Sequence, residues 1–100
     1  MKVIKEVRDK TPEENLAIAK IQVMMEDSFG LLSNSDSSPA IQSKAKYWFE
    51  TNDCAMWCDM AGTTYDHVLK LFQNLQYNYN SGKITKDQLR FGIKRLEKKL

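Results

Sequence analysis

The feature that most constrains the fold is a series of helix-start signals, each followed by apolar residues at helical spacing. The first is Thr11-Pro12-Glu13-Glu14, where a threonine hydroxyl precedes a proline that needs no backbone donor. Glu14 stands three residues after Thr11 and completes a capping box. The apolar residues that follow recur every three or four positions: Ile18, Ile21, Met25, Phe29 and Leu32, with Ala17, Ala19, Val23 and Met24 widening the face. We expect the longest helix here.

Four more helices are predicted after this one. They begin after Ser38-Pro39, near Thr51-Asn52, after Thr63 or Thr64, and after Thr85, which has Gln88 three residues later. The predicted inward-facing rows are, in order, Ile41, Ala45, Trp48 and Phe49; Cys54, Trp57, Cys58 and Ala61; Val68, Leu71, Phe72, Leu75 and Tyr79; and Leu89, Ile93, Leu96 and Leu100. The sequence therefore predicts an all-α chain, a compact bundle of four to five helices.

The chain has room for one hydrophobic core. Its 100 residues form a single predicted domain over 1–100, with an N-terminal arm at 1–10 and a polar linker at 33–38. Hydrophobic residues make up 42% and charged residues 28%, which is typical of globular chains and excludes general disorder. Because so small a core is only marginally stabilising, a homodimer is one expectation.

Neither a membrane segment nor a secretory leader is expected. No stretch approaches the ~18 consecutive apolar residues of a membrane helix, and the first ten residues lack the long apolar run of a signal peptide. Cys54 and Cys58 are the two cysteines, and one helical turn separates them. Since this is not a disulfide framework, a cytoplasmic protein with reduced thiols is predicted.

Residues 54–73 have the pattern of a helix-turn-helix unit. Cys58 is the small residue where the helices touch, Gly62 makes the turn, and Val68 and Leu71 anchor the second helix. Two bundle helices joined by a glycine turn give the same pattern, so both interpretations stay open.

If the second helix reads DNA, its exposed side chains include Thr64, Tyr65, Lys70 and Gln73. Tyr65 and Gln73 suit hydrogen bonds to base edges or phosphates, and Lys70 suits a phosphate. Asp66 opposes this interpretation, because it would face the DNA. The last helix adds candidate phosphate contacts in a segment that carries seven basic and two acidic residues over 83–100: Arg90, Lys94 and Arg95.

The segment Ala45-Lys46-Tyr47-Trp48-Phe49, followed by Trp57-Cys58-Asp59-Met60-Ala61-Gly62 and Val68, resembles a family of small phage and prophage helical proteins. In that family an Ala-x-x-Trp helix precedes a Cys-containing helix, a glycine turn and a Val-Arg helix. The resemblance covers about 45–75 and implies a viral origin. The chain departs from the family pattern at Thr64-Tyr65, where Asp-Pro is typical, and at Leu69, where arginine is typical.

Catalysis, cofactors and metals are not expected. Cys54, Cys58 and His67 are the nearest approach to a metal cluster, but zinc sites need four ligands and buried cysteine is common. The sequence lacks a Gly-rich phosphate loop, a Gly-x-Ser-x-Gly elbow and a His-Glu-x-x-His motif.

Three functions follow as hypotheses. The first is a phage-type regulator that binds DNA by occupancy. The alternative is a phage-encoded inhibitor or adaptor that binds a host protein through exposed aromatic and methionine side chains or the acidic face of the first helix. A third is a structural accessory protein that self-assembles.

Overall fold

A computed structural model describes residues 10–31 and 38–100. They form five α-helices: α1 Pro12–Phe29, α2 Pro39–Trp48, α3 Asn52–Met60, α4 Tyr65–Asn80 and α5 Lys86–Lys94. A 3-10 helix, Arg95–Lys98, continues α5. The predicted all-α bundle of four to five helices is confirmed. The predicted arm before Lys10, most of the 33–38 linker and Leu32 lie outside the described residues.

Every α-helix begins at a hydroxyl side chain that accepts from a backbone amide in its first turn. These caps are Thr11, Ser38, Thr51, Thr64 and Thr85. Capping boxes with Glu14 and Gln88 are present at the first and last of them. Two helices end before the predicted residue. Helix α1 ends at Phe29, because Gly30 adopts a left-handed φ of 70°, whereas its predicted apolar row ran to Leu32. The final α-helix, predicted to reach Leu100, tightens to 3-10 geometry at Arg95. Such tightening is common in the last turn of a helix.

Helices α2 and α3 follow one another along α1 and run antiparallel to it. Gly30, at the end of α1, lies against the side chain of Gln42 near the start of α2. Midway along α1, the Lys20 ammonium lies 5.8 Å from the ring centroids of both Trp48 and Trp57. Gly62, just beyond α3, faces the Glu14 carboxylate at the start of α1. The helix α1 is therefore the scaffold of the bundle.

Helix α5 also runs antiparallel to α1. The Arg90 guanidinium donates to the Leu31 carbonyl at 3.0 Å, beyond the C-terminal end of α1. Near the middle of α1, the Gln22 side-chain amide donates to the carbonyls of Ile93 at 3.1 Å and Lys94 at 3.2 Å. At the other end, the Lys10 ammonium donates to the Leu100 carbonyl at 3.2 Å. These bonds fix the register of the two helices.

Helices α4 and α5 form an antiparallel hairpin. The ring of His67 lies 3.0 Å from the Lys99 carbonyl at one end, and Leu75 packs against Gly92 further along. Asn78 accepts the amides of Lys83 and Ile84 in the connection. One side of α5 therefore faces α1 and another faces α4.

The core lies between α1 and the other helices. Its fully buried side chains include Ile21, Met25, Val68, Leu89 and Ile93. An aromatic group joins α1, α2 and α4: Phe49 stacks on Phe72 with ring centroids 4.0 Å apart, and Phe29 meets Phe72 and Tyr79 edge to face at 5.7 and 5.9 Å.

Most predicted inward residues are buried or pack against this core, but Ala19, Val23 and the partly buried Ile41 do not. Ala19 and Val23 lie on the outer side of α1, and 45% of Val23 is exposed. Trp57 packs against the core but is only partly buried, because it lies at the edge of the α1–α3 contact beside Lys20. None of the described helices is both long enough and apolar enough to cross a lipid bilayer.

Candidate binding surfaces

The turn between α3 and α4 has the geometry that the sequence predicts for 54–73. Helix α3 ends at Met60, Gly62 has a left-handed φ of 82°, and Thr64 caps α4 by accepting from the His67 amide. A side chain at Gly62 would be strained by that backbone, and its Cβ would lie 3.2 Å from a Glu14 carboxylate oxygen. Glycine therefore allows the chain to turn tightly against the start of α1.

Tyr65 does not lie free on the outer face of α4, as the prediction of base contacts requires. Its hydroxyl donates to the Phe49 carbonyl at the end of α2, and the side chain is half-buried. Loss of solvation raises the pKa of Tyr65, so the phenol remains a neutral donor. The structure makes Tyr65 a link between α2 and α4, because the phenol satisfies a carbonyl that the end of α2 leaves open.

Thr64, Lys70 and Gln73 are exposed on or beside α4. Gln73 also borders a cleft of about 260 Å³ between α2 and α4. The cleft is lined by Lys46, Phe49, Glu50, Leu69, Phe72, Gln73 and Gln76. Lys70 and Gln73 are thus accessible, and Thr64 is engaged in capping the helix.

The three predicted phosphate contacts of the last helix have different environments. Arg90 is half-buried, donates to Leu31 and lies 3.6 Å from an Asp87 carboxylate oxygen. Lys94 is exposed, and the Arg95 guanidinium lies 5.3 Å from the ring centroid of Phe91. Arg90 therefore holds α5 to the end of α1, whereas Lys94 and Arg95 project outward.

The seven predicted residues do not share one surface. Arg90 and the backbone of Lys94 lie on the side of α5 that contacts α1, as the bonds to Leu31 and Gln22 show. Lys70 and Gln73 belong to α4, which packs against α5 through Leu75 and Gly92. A ligand that touches all of them would have to wrap the α4–α5 hairpin.

One surface centred on α5 is basic, and we call it the basic face: Phe91, Lys94, Arg95 and Lys98. Phe91 is 60% exposed. Across 83–100, six basic side chains are exposed: Lys83, Lys86, Lys94, Arg95, Lys98 and Lys99. Among the described residues, the ion pair found in this segment joins Arg90 to Asp87. Within residues 10–31 and 38–100, none of the exposed six is in an ion pair.

A second surface, centred on α3, was missed in the sequence. We call it the acidic face: Asp53, Met56, Asp59 and Met60. Met56 is 51% and Met60 39% exposed, while Cys54 and Cys58 on the opposite side of the helix are fully buried. The sequence does indicate an acidic surface here, because residues 47–69 contain four acidic side chains and no lysine or arginine. Methionines four residues apart on the same helix were a second sign.

The cysteines are buried free thiols one helical turn apart. The hydrogen bond to Cys58 and burial both raise the pKa of the Cys54 thiol, so it stays protonated. His67 is exposed and its ring contacts the Lys99 carbonyl. Within residues 10–31 and 38–100, no three His, Cys, Asp or Glu side chains are grouped as metal ligands.

Comparisons with known proteins give no relative for this chain. No family model matches it, and neither the curated proteins nor the solved structures include a significant match. Function must therefore be inferred from the surfaces themselves.

Proposed function

We propose that this protein is a small phage-type regulator that binds DNA without catalysis, in the cytoplasm of a host cell. The observation that carries the proposal is the group of six exposed basic side chains in 83–100. Each ammonium or guanidinium that meets a phosphate releases condensed counterions, and this release drives binding that does not depend on sequence. The protein would act by occupying a site on the DNA duplex, without catalysing a reaction.

The distribution of charge orients the duplex. Phosphates are attracted to the basic face and repelled by the acidic face, so the α4–α5 side of the molecule meets the DNA. Lys70 and Gln73 on α4 are exposed and available for groove or backbone contacts. Asp66 and the acidic residues of α3 disfavour deep insertion of the α3–α4 turn. Phosphate contacts thus supply more of the affinity than base contacts.

The test is a fluorescence anisotropy titration of a mixed-sequence duplex at several salt concentrations. Affinity is expected to fall steeply with salt, by a logarithmic slope of about 0.9 for each phosphate neutralised. Arg95→Ala and Lys98→Ala should each lower the magnitude of that slope by about 1, and Lys70→Ala should lower affinity. Lys44→Ala on α2 is the matched control. Binding that is absent at low salt, or equal in all four variants, contradicts the proposal.

A second candidate function is the binding of another protein, as an inhibitor or adaptor does, and the acidic face favours it. Exposed methionines adapt to varied apolar partners, and the flanking carboxylates select a basic one. The probe is a synthetic amphipathic helix made of leucine and lysine, titrated by fluorescence. Asp59→Lys should abolish its binding, and the cleft variant Gln76→Ala should leave binding unchanged. Binding that Asp59→Lys leaves intact contradicts this candidate.

A further inference from the structure

The acidic face and the basic face each combine exposed apolar side chains with charged neighbours, and the charges are opposite in sign. On α3, Met56 is three residues from both Asp53 and Asp59, which places one carboxylate on each flank at about 60° around the helix. On α5, Phe91 has Lys94 and Arg95 beside it at three and four residues, and Asp87, four residues before it, is paired with Arg90. Each face is therefore an exposed apolar side chain bordered by charge.

The two faces fit one another in size and chemistry. Helices α3 and α5 are both nine residues long. A thioether against an aromatic ring is a favourable contact, and the lysine and arginine on one face meet aspartates on the other. The Arg95 guanidinium already lies over the Phe91 ring at 5.3 Å, so the aromatic and basic parts are held together in the free protein.

A single molecule does not bring the faces together. Helix α3 lies beside the N-terminal half of α1, with Gly62 against Glu14 and Trp57 beside Lys20. Helix α5 packs on α1 through a different set of contacts, with Arg90 bonded to Leu31 and Gln22 bonded to Ile93. Met56 is 51% and Phe91 60% exposed, so neither face covers the other in the folded chain, and contact between them has to be made by separate molecules.

We propose that the acidic face of one copy docks on the basic face of a second copy of this chain, with Phe91 of one seated on Met56 and Met60 of the other. The inference deepens the second candidate function, since it names the basic partner, and rests on it. The proposal also connects self-association to DNA binding. Lys94 and Arg95 would contact both DNA and the second copy, so DNA binding and self-association compete.

The experiment is light scattering coupled to size-exclusion chromatography, at low and at high salt, with charge-reversed variants. Asp59→Lys is preferred to a change at Asp53, whose carboxylate accepts from the Trp48 indole at 2.9 Å. Its partner variant is Arg95→Glu, and the matched control is Lys86→Glu, on the side of α5 away from Phe91. Circular dichroism confirms that each variant is folded.

The unaltered chain is expected to exceed the monomer mass at low salt and to approach it at high salt. Asp59→Lys and Arg95→Glu should each weaken self-association at least about tenfold, because each places like charges in contact. An equimolar mixture of the two should regain the larger mass, since each pairing between them is again attractive. Lys86→Glu should associate like the unaltered chain.

A monomeric unaltered chain at low salt overturns the inference, and so does an assembly that the charge reversals leave intact or that the mixture fails to restore. DNA binding by the same variants shows whether only self-association is disproved or the proposed DNA-binding function as well. Asp59→Lys should bind DNA at least as well as the unaltered chain, whereas Arg95→Glu should lose DNA affinity as well. If the chain is monomeric but still binds the synthetic leucine–lysine helix, protein binding by the acidic face is retained. The proposal that its partner is another copy of this chain is then rejected.

Discussion

Helices α3 and α5 are both nine residues long, are both capped by threonine and both lie antiparallel to α1, yet they present opposite charge. They also anchor differently. Helix α3 buries Cys54 and Cys58, whereas α5 buries Leu89 and Ile93. Helix α5 is further tied by side-chain bonds from Gln22 and Arg90.

This difference shows how one small scaffold carries two unlike surfaces. The spacing of apolar residues decides which face of a short helix is buried. It does not constrain which residues occupy the exposed face. Helix α5 and the 3-10 helix after it have a larger apolar anchor, Leu89, Ile93 and Leu96, and the basic face lies on their exposed side. Helix α3 has small buried groups and depends more on its caps and its turn.

The largest expected effect is in the anchor of α5. Ile93 is fully buried, so Ile93→Ala should lower the free energy of unfolding by about 3 kcal/mol, as for large cavities in small cores. Cys58→Ala, at an equally buried position of α3, removes a single sulfur and should cost about 1 kcal/mol. Urea unfolding followed by circular dichroism measures both. Equal losses would show that the two helices are anchored alike.

The next effect is in the turns before and after α4. Gly62→Ala should cost about 2 kcal/mol, because the left-handed backbone strains an alanine and its Cβ presses on the Glu14 carboxylate that caps α1. Gly82 has nearly the same φ of 83°, but a Cβ at that position would meet no atom within 4 Å. Gly82→Ala should therefore cost only about 1 kcal/mol.

Thermal melts of Gly62→Ala and Gly82→Ala measure the two losses of stability. A smaller loss at Gly62 than at Gly82 would remove the role assigned to the contact between the α3–α4 turn and α1.

The local features of this fold were predictable from sequence. The caps at Thr11, Ser38 and Thr85 and the turn at Gly62 depend on neighbours within four residues, and the structure has each of them. Inward rows were predictable for the same reason, since spacing alone decides which side chains share a helix face.

The surfaces were harder to predict, because they depend on which helices meet. Nothing in the spacing of α4 shows that the Tyr65 hydroxyl reaches the Phe49 carbonyl, or that Arg90 is committed to Leu31. The Lys20 ammonium between Trp48 and Trp57 joins three helices that are far apart in sequence. Of the candidate sites, the charge of the last helix was recognised and the acidic face was overlooked.

The N-terminal caps of α3 and α5 should differ less in their contribution to stability. Thr51 accepts from the Cys54 amide at 3.4 Å and also donates to the Trp48 carbonyl at 2.6 Å, so it joins α2 to α3. Thr51→Ala should cost about 1.5 kcal/mol. The Thr85 hydroxyl accepts from the Gln88 amide at 3.2 Å and is exposed, so Thr85→Ala should cost about 1 kcal/mol. Chemical denaturation compares them, and a costlier Thr85 would contradict the dependence of α3 on its caps.

The smallest effect concerns the cation beside each helix's aromatic side chain. Lys20→Met keeps the aliphatic stem but removes the ammonium that lies 5.8 Å from both Trp48 and Trp57, and should cost about 0.5–1 kcal/mol. Arg95→Met removes the guanidinium over Phe91, which is largely exposed, and should cost less. Because both tryptophans lie near Lys20, Lys20→Met should also alter the intrinsic fluorescence of the folded protein, and Arg95→Met should not. An unchanged emission spectrum in Lys20→Met would show that the ammonium does not interact with the indole rings, and the attachment of α3 to α1 would then depend on apolar packing and on the turn at Gly62.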